Sequence, residues 1–118
     1  MMRERVAHAA WLAALAMVMV GELLPGASAP MRWVGETGIS DKVLHFGAYL
    51  VLAGIPVYGF ARPRGVRWAL AMIALGAALE LAQKLVPGRS FEWGDMLANT
   101  AGVLTGMAAG WVARKHEP

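Results

Sequence analysis

The sequence predicts an all-α integral membrane protein, a bundle of four transmembrane helices that form a single domain over residues 1–118. Composition gives the first reason, because 58% of the residues are hydrophobic and only 16% are charged. Soluble domains are nearer half apolar and a quarter charged. A soluble domain of this size would leave much apolar surface in water, where it would aggregate. The second reason is that the apolar residues fall into four long segments separated by proline and glycine.

Each apolar segment is long enough to cross a bilayer as a helix. About 17 to 21 residues at ~1.5 Å per residue match a hydrocarbon core about 30 Å thick. Backbone groups in lipid must be hydrogen-bonded within their own segment, so these segments are helices and not strands. We expect the four spans at about residues 6–24, 43–60, 66–86 and 96–112.

The first span has a second interpretation, as a cleaved secretory signal. Arg3 and Arg5 precede the apolar stretch, and the small residues 27–29 follow it as they do at a cleavage site. However, Pro30 would lie directly after the cut, where proline is poorly tolerated, and the apolar stretch reaches Leu24. Both observations favour a retained helix.

Charge placement predicts the orientation of the bundle. With four spans and both termini cytoplasmic, seven of the eleven basic residues lie inside and six of the eight acids lie outside. This division follows the positive-inside preference. The net charge of +3 therefore reflects orientation in the membrane, and we expect membrane lipids, and no nucleic acid, as partners. The inner basic residues are Arg3, Arg5, Arg62, Arg64, Arg67, Arg114 and Lys115, and the outer ones are Arg32, Lys42, Lys84 and Arg89.

Polar residues gather at the outer ends of three spans. Asp41, His45 and Tyr49 follow one another at intervals of four, as do Asp95 and Asn99, and Gln83 and Lys84 follow Glu80 by three and four residues. Each of these sets therefore shares one helix face. The absence of cysteine excludes thiolate metal sites and cysteine nucleophiles. The polar residues are Asp41, Lys42, His45 and Tyr49 on the second span, Glu80, Gln83 and Lys84 on the third, and Asp95 and Asn99 on the fourth, with Arg89 in the loop between them.

Glu80 is the most unusual of these residues because it lies near the middle of its span. An unpaired charge near a helix centre costs about 2.5–3.5 kcal/mol. Such a residue is protonated, paired or beside a wet cavity, and it is a candidate for a functional site. An ion pair with Lys42 or His45 is the structural alternative. His45 follows Asp41 by one turn, and a carboxylate partner would suit it for acid–base chemistry.

The fourth span also carries a stripe of small residues at intervals of four, Gly102, Gly106 and Gly110. Such a stripe lets another helix approach closely. We expect it to pack inside the bundle, with a helix–helix contact to a partner protein as the alternative.

The ordered motifs resemble the VanZ-like family of bacterial membrane proteins. The resemblance covers residues 20–110 and implies a small multi-pass protein of the bacterial inner membrane, associated with low-level teicoplanin resistance and without a settled reaction. The loop 89–93 departs from it, because a more serine-rich stretch is expected there. The motifs are Asp41-Lys42-x-x-His45-x-x-x-Tyr49, Glu80-x-x-Gln83-x-x-x-Pro87-x-Arg89 and Asp95-x-x-x-Asn99-x-x-Gly102.

Three functional hypotheses remain open at this stage. In the first, an outward polar pocket binds a lipid-linked cell-wall precursor or a glycopeptide-related ligand, and its arginine and lysines hold an anionic group. In the second, a hydrolase or transferase acts on a lipid-linked envelope substrate. In the third, an assembly factor packs through its glycine stripe. The ligand-binding candidates are Lys42, Tyr49, Gln83, Lys84, Arg89 and Asn99.

The enzyme hypothesis assigns roles to the other candidates. His45 would be a general base oriented by Asp41, and Glu80 would be the acid. The catalytic candidates are thus His45, Glu80, Asp41 and Asp95. We predict no cofactor and no metal, although a metal version with these four residues would be rich in oxygen ligands and would suit Mg²⁺ or Mn²⁺ better than zinc.

Overall fold

The computed structural model describes residues 2–117 and confirms the all-α prediction. Helix, including one 3-10 turn, accounts for 81% of the described residues, and no strand occurs among them. Four helices are long and apolar enough to cross a membrane. The helices are α1 (Met2–Leu23), α2 (Ala29–Glu36), α3 (Asp41–Gly59), α4 (Arg64–Ala82) and α5 (Trp93–Lys115), and α4 continues into a short 3-10 turn at Gln83–Leu85.

The ends of α3 and α5 differ from the prediction because their first turns are polar. Ser40 precedes α3, and its hydroxyl accepts hydrogen bonds from the backbone N–H groups of Lys42 and Val43 at 3.1 and 3.4 Å. This cap satisfies backbone donors that the helix leaves unpaired. Helix α5 begins at Trp93 and not at Met96. The charged residues expected at the edge of the membrane are therefore part of the helices.

Helix α2 was not predicted and corrects the expectation that residues 25–42 form only a connection. Pro30 lies in its first turn, where the missing N–H and the fixed φ angle of proline favour helix initiation. In the sequence, Pro30 was interpreted as one of the prolines that separate the spans. The apolar residues of α2 include Met31 and Val34, which line a groove between α2 and the helices α1 and α3.

Helix α3 is the centre of the bundle and packs closely along α5. A Cβ atom added at Gly102 or Gly106 would collide with the backbone of Phe46 or Leu50 on α3, and one added at Gly110 would lie 2.6 Å from the backbone oxygen of Gly54. The glycine stripe is therefore used inside the bundle. This contact fixes the register between the polar ends of α3 and α5.

Basic residues meet at the opposite end of the bundle, where α3 ends. Arg114 donates hydrogen bonds to the backbone oxygens of Phe60 and Val57 at 2.6 and 3.2 Å. Arg3 forms an ion pair with Glu117 at 2.6 Å. Cations are favourable at the carboxyl end of a helix, where backbone carbonyls lack partners. These residues belong to the group that the sequence assigns to the inner side.

Candidate functional site

A cluster of buried polar side chains lies where the polar ends of α1, α3 and α5 meet the end of α4. None of its members has more than 7% of its surface exposed. Burial of so many polar groups is costly unless they are hydrogen-bonded. We call this set the polar cluster; it consists of Glu22, His45, Tyr49, Glu80, Gln83, Asp95 and Asn99.

His45 is held by residues from two other helices. Its Nδ1 lies 2.7 Å from Oδ1 of Asn99 and 3.4 Å from Oε1 of Glu22. The Asn99 oxygen accepts, so Nδ1 carries the proton and, in a neutral ring, Nε2 has the lone pair. Asp41 was expected to orient this ring. Instead, Asp41 is exposed and, within residues 2–117, makes no hydrogen bond to His45.

Glu22 is the site residue that sequence reasoning missed. The Tyr49 hydroxyl donates to Oε2 of Glu22 at 2.9 Å, and Gln83 donates to its backbone oxygen at 2.8 Å. A signal was available, because a lone acid in the last turn of an apolar helix opposes the helix dipole. The sequence assigned Glu22 to the outer side but gave it no role.

Glu80 is completely buried and connects α4 to the chain that precedes α5. Its Oε1 accepts a hydrogen bond from the backbone N–H of Glu92 at 3.0 Å. No ion pair to Lys42 or His45 forms among the described residues, so the structural alternative expected for Glu80 is not observed. Its Oε2 is buried and has no hydrogen-bond partner in residues 2–117.

Lys42 is bound to two carboxylates of the α5 end. Its Nζ lies 2.7 Å from Oδ1 of Asp95 and 3.0 Å from Oε1 of Glu92. The other Asp95 oxygen, Oδ2, faces Nε2 of His45 at 3.7 Å. Asp95 thus connects the ammonium group of Lys42 to the imidazole ring of His45.

The two remaining cations of the expected pocket, Arg89 and Lys84, do not belong to the polar cluster. Arg89 donates to the backbone oxygens of Gly21 and Leu24 at 3.0 and 2.9 Å, which satisfies carbonyls at the end of α1. Lys84 is exposed and its Nζ lies 5.1 Å from the centre of the Phe91 ring. Lys84 is therefore outside the polar cluster, although spacing placed it on the face of Glu80.

A groove with a volume of about 360 Å³ opens beside the polar cluster. Helices α1, α2 and α3 supply its walls. Its apolar lining comes mainly from long aliphatic side chains, while its polar lining includes three members of the cluster. The apolar residues are Met17, Val18, Met31, Val34, Leu44 and Ala48, and the polar ones are Glu22, Asp41, His45, Tyr49 and Arg89.

Comparison with known proteins gives one family. A family model described as VanZ/LLP1 matches residues 5–114. The matched range includes the whole polar cluster and the greater part of every long helix. No curated protein and no solved structure matches the chain significantly. The family relationship therefore rests on the family model.

Proposed function

The chain belongs to the VanZ/LLP1 family of membrane proteins, and on this premise we propose that its groove binds an amphiphilic lipid of the bacterial cell envelope. One observation carries the proposal. The groove is lined both by aliphatic side chains such as Leu44 and Ala48 and by the buried polar groups of Glu22, His45 and Tyr49. An amphiphile combines the same two kinds of group. A volume of about 360 Å³ also lies in the range of small-molecule sites.

The head group in this proposal carries hydrogen-bond donors. Oε1 of Glu22 is buried without a hydrogen-bond partner in residues 2–117, and the carboxylate of Asp41 also lines the groove. Carboxylates accept hydrogen bonds from hydroxyl, amide and amine groups. Binding of an anionic head group has less support, because Lys84 lies outside the polar cluster and Arg89, which lines the groove, already donates from Nη1 to the end of α1. Sugar or peptide parts of a lipid-linked cell-wall precursor fit this chemistry.

The proposal includes a contribution to low-level teicoplanin resistance. Teicoplanin carries an acyl tail that favours membranes, and it binds the cell-wall precursor. A protein that holds the precursor at the outer leaflet would compete with the antibiotic for the same molecule. In this proposal the protein binds a ligand and needs no chemical step.

Filling the groove tests this proposal. Ala48→Trp places a large ring in the groove, whereas Val51→Trp places the same ring on an exposed part of α3. We expect native mass spectrometry of the purified protein to show a bound envelope lipid in the wild type and in Val51→Trp but not in Ala48→Trp. Strains carrying Ala48→Trp should also lose any teicoplanin resistance that the wild type confers. Equal lipid content in both variants, with unchanged thermal unfolding, would reject the groove as the site.

The arrangement of His45 favours one alternative, an enzyme that acts on a lipid-linked substrate. Its Nδ1 is fixed by Asn99, and its side chain lines the groove. A histidine held in this way is suited to move a proton. Incubation of the purified protein with a lipid-linked precursor distinguishes the two functions, since only an enzyme releases a new product that mass spectrometry detects.

A further inference from the structure

Nitrogen and oxygen donors from α3 and α5 meet beside the groove. Asp41 and His45 lie one turn apart on α3, and Asp95 lies in the first turn of α5. One donor atom from each of the three side chains lies within 4.8 Å of the other two. Asp95 and His45 are buried, whereas Asp41 is exposed.

His45 is prepared to be a ligand. Its Nδ1 proton is directed to Asn99 at 2.7 Å, which leaves the lone pair of a neutral ring on Nε2. Nε2 faces Oδ2 of Asp95 at 3.7 Å, a separation too long for a hydrogen bond. Two donors about 2.0–2.2 Å from one ion stand about 3.0–3.7 Å apart, so this separation fits a shared cation. In metal sites, the histidine ring nitrogen that does not bind the metal usually donates a hydrogen bond to a neighbouring group.

The surrounding charge favours a cation. Lys42 is bonded to Oδ1 of Asp95, and this contact orients the carboxylate while leaving Oδ2 toward His45. Oε1 of Glu22 lies 3.4 Å from Nδ1 of His45, and Glu92 shares Lys42 with Asp95. The acidic groups of Asp41, Asp95, Glu22 and Glu92 therefore outnumber the two nearby cations, Lys42 and Arg89.

We propose that Asp41, His45 and Asp95 bind one divalent cation through Nε2 and carboxylate oxygens. One imidazole and two carboxylates form a mixed donor set that suits Mn²⁺ or Zn²⁺. Glu80 is not included, because among the described residues the donor atoms that lie this close together belong to Asp41, His45 and Asp95. The cation site does not depend on lipid binding, although two of its ligands line the same groove.

Titration with Mn²⁺, followed by the electron paramagnetic resonance signal of the free ion, tests the site. We expect the wild type in uncharged detergent micelles to bind one equivalent. Asp41→Asn should weaken Mn²⁺ binding by about tenfold to a hundredfold or more. Mutation of a residue that only hydrogen-bonds to a metal ligand already lowers metal affinity by about that much. Asp41 is exposed and first in its helix, so this variant keeps the fold. Glu36→Gln, at an exposed acid of α2, is the matched control and should bind as the wild type does.

A spectroscopic signature identifies the histidine. Bound Mn²⁺ should show electron spin-echo modulation from a ligand nitrogen, and His45→Gln should remove this modulation. A wild type that leaves the free Mn²⁺ signal unchanged overturns the proposal, as does equal affinity in the wild type and Asp41→Asn. The lipid measurements on Ala48→Trp are made in excess chelator, so a failed cation site and a failed lipid groove give different results.

Discussion

Gly106→Ala is expected to lower the free energy of unfolding by about 3 kcal/mol, because overpacking a tight contact costs about 1–3 kcal/mol and occasionally more. The added methyl group would meet the backbone of Leu50 on α3 and no flexible side chain. The steric clash can therefore be relieved only if α5 moves away from α3. Such a movement would also separate His45 from Asn99, which lie on these two helices and share a hydrogen bond of 2.7 Å.

Gly47→Ala provides the matched control for this prediction. Gly47 also lies in α3, but a Cβ atom there meets nothing within 4 Å. Alanine is a better helix former than glycine by about 1 kcal/mol, so this variant should be as stable as the wild type or slightly more stable. Unfolding in mixed micelles with increasing denaturing detergent measures both variants. Equal stability of the two would contradict the close contact between α3 and α5.

Glu22→Leu is the second change with a large expected effect. It removes the acceptor of the Tyr49 hydroxyl, and Tyr49 is completely buried. A buried donor without a partner costs about 1–3 kcal/mol. In the Tyr49→Phe background the same change should cost about 1 kcal/mol less, because no hydroxyl remains to be satisfied. Full additivity of the two changes in the same unfolding assay would show that this hydrogen bond does not form.

The second carboxyl oxygen of Glu22 has a separate consequence for lipid binding. Glu22→Gln keeps an oxygen that accepts from Tyr49 but replaces Oε1, the oxygen without a partner in residues 2–117, with an NH2 group. An NH2 group donates and does not accept, so we expect weaker binding of a lipid whose head group carries donors, with little change in stability. Native mass spectrometry of bound lipid measures this effect. Stronger or unchanged lipid binding would remove Glu22 from the head-group site.

Hydropathy and spacing were sufficient to predict the four spans and the use of the glycine stripe. Spacing also predicted that polar residues from three helices meet. Residues four apart lie on one face of a helix, and this holds whichever helix packs against that face. Helix α2 was missed because a short segment with proline has little periodicity. Glu22 was missed because its role depends on which helix packs beside Tyr49, and no spacing within α1 shows that.

Long cationic side chains were the least predictable part of the site. Arg89 reaches the backbone oxygens of Gly21 and Leu24, and the sequence does not reveal which helix end lies beside its loop. Lys84 shares the helical spacing of Glu80, yet it lies in a 3-10 turn that changes its direction. Asp41 was predicted to be the partner of His45 because it lies one turn away in the sequence. The observed partner is Asn99, which the packing of α5 against α3 brings close to His45.

Site-specific photocrosslinking tests the lipid groove most directly. A diazirine-bearing amino acid at Leu44 would lie in the groove, whereas one at Val43 would lie on the exposed side of the same helix. After irradiation of intact cells, mass spectrometry identifies the attached lipid. The proposed function predicts a lipid-linked cell-wall precursor attached at Leu44 and only bulk phospholipid at Val43. The same bulk phospholipids at both positions would contradict it.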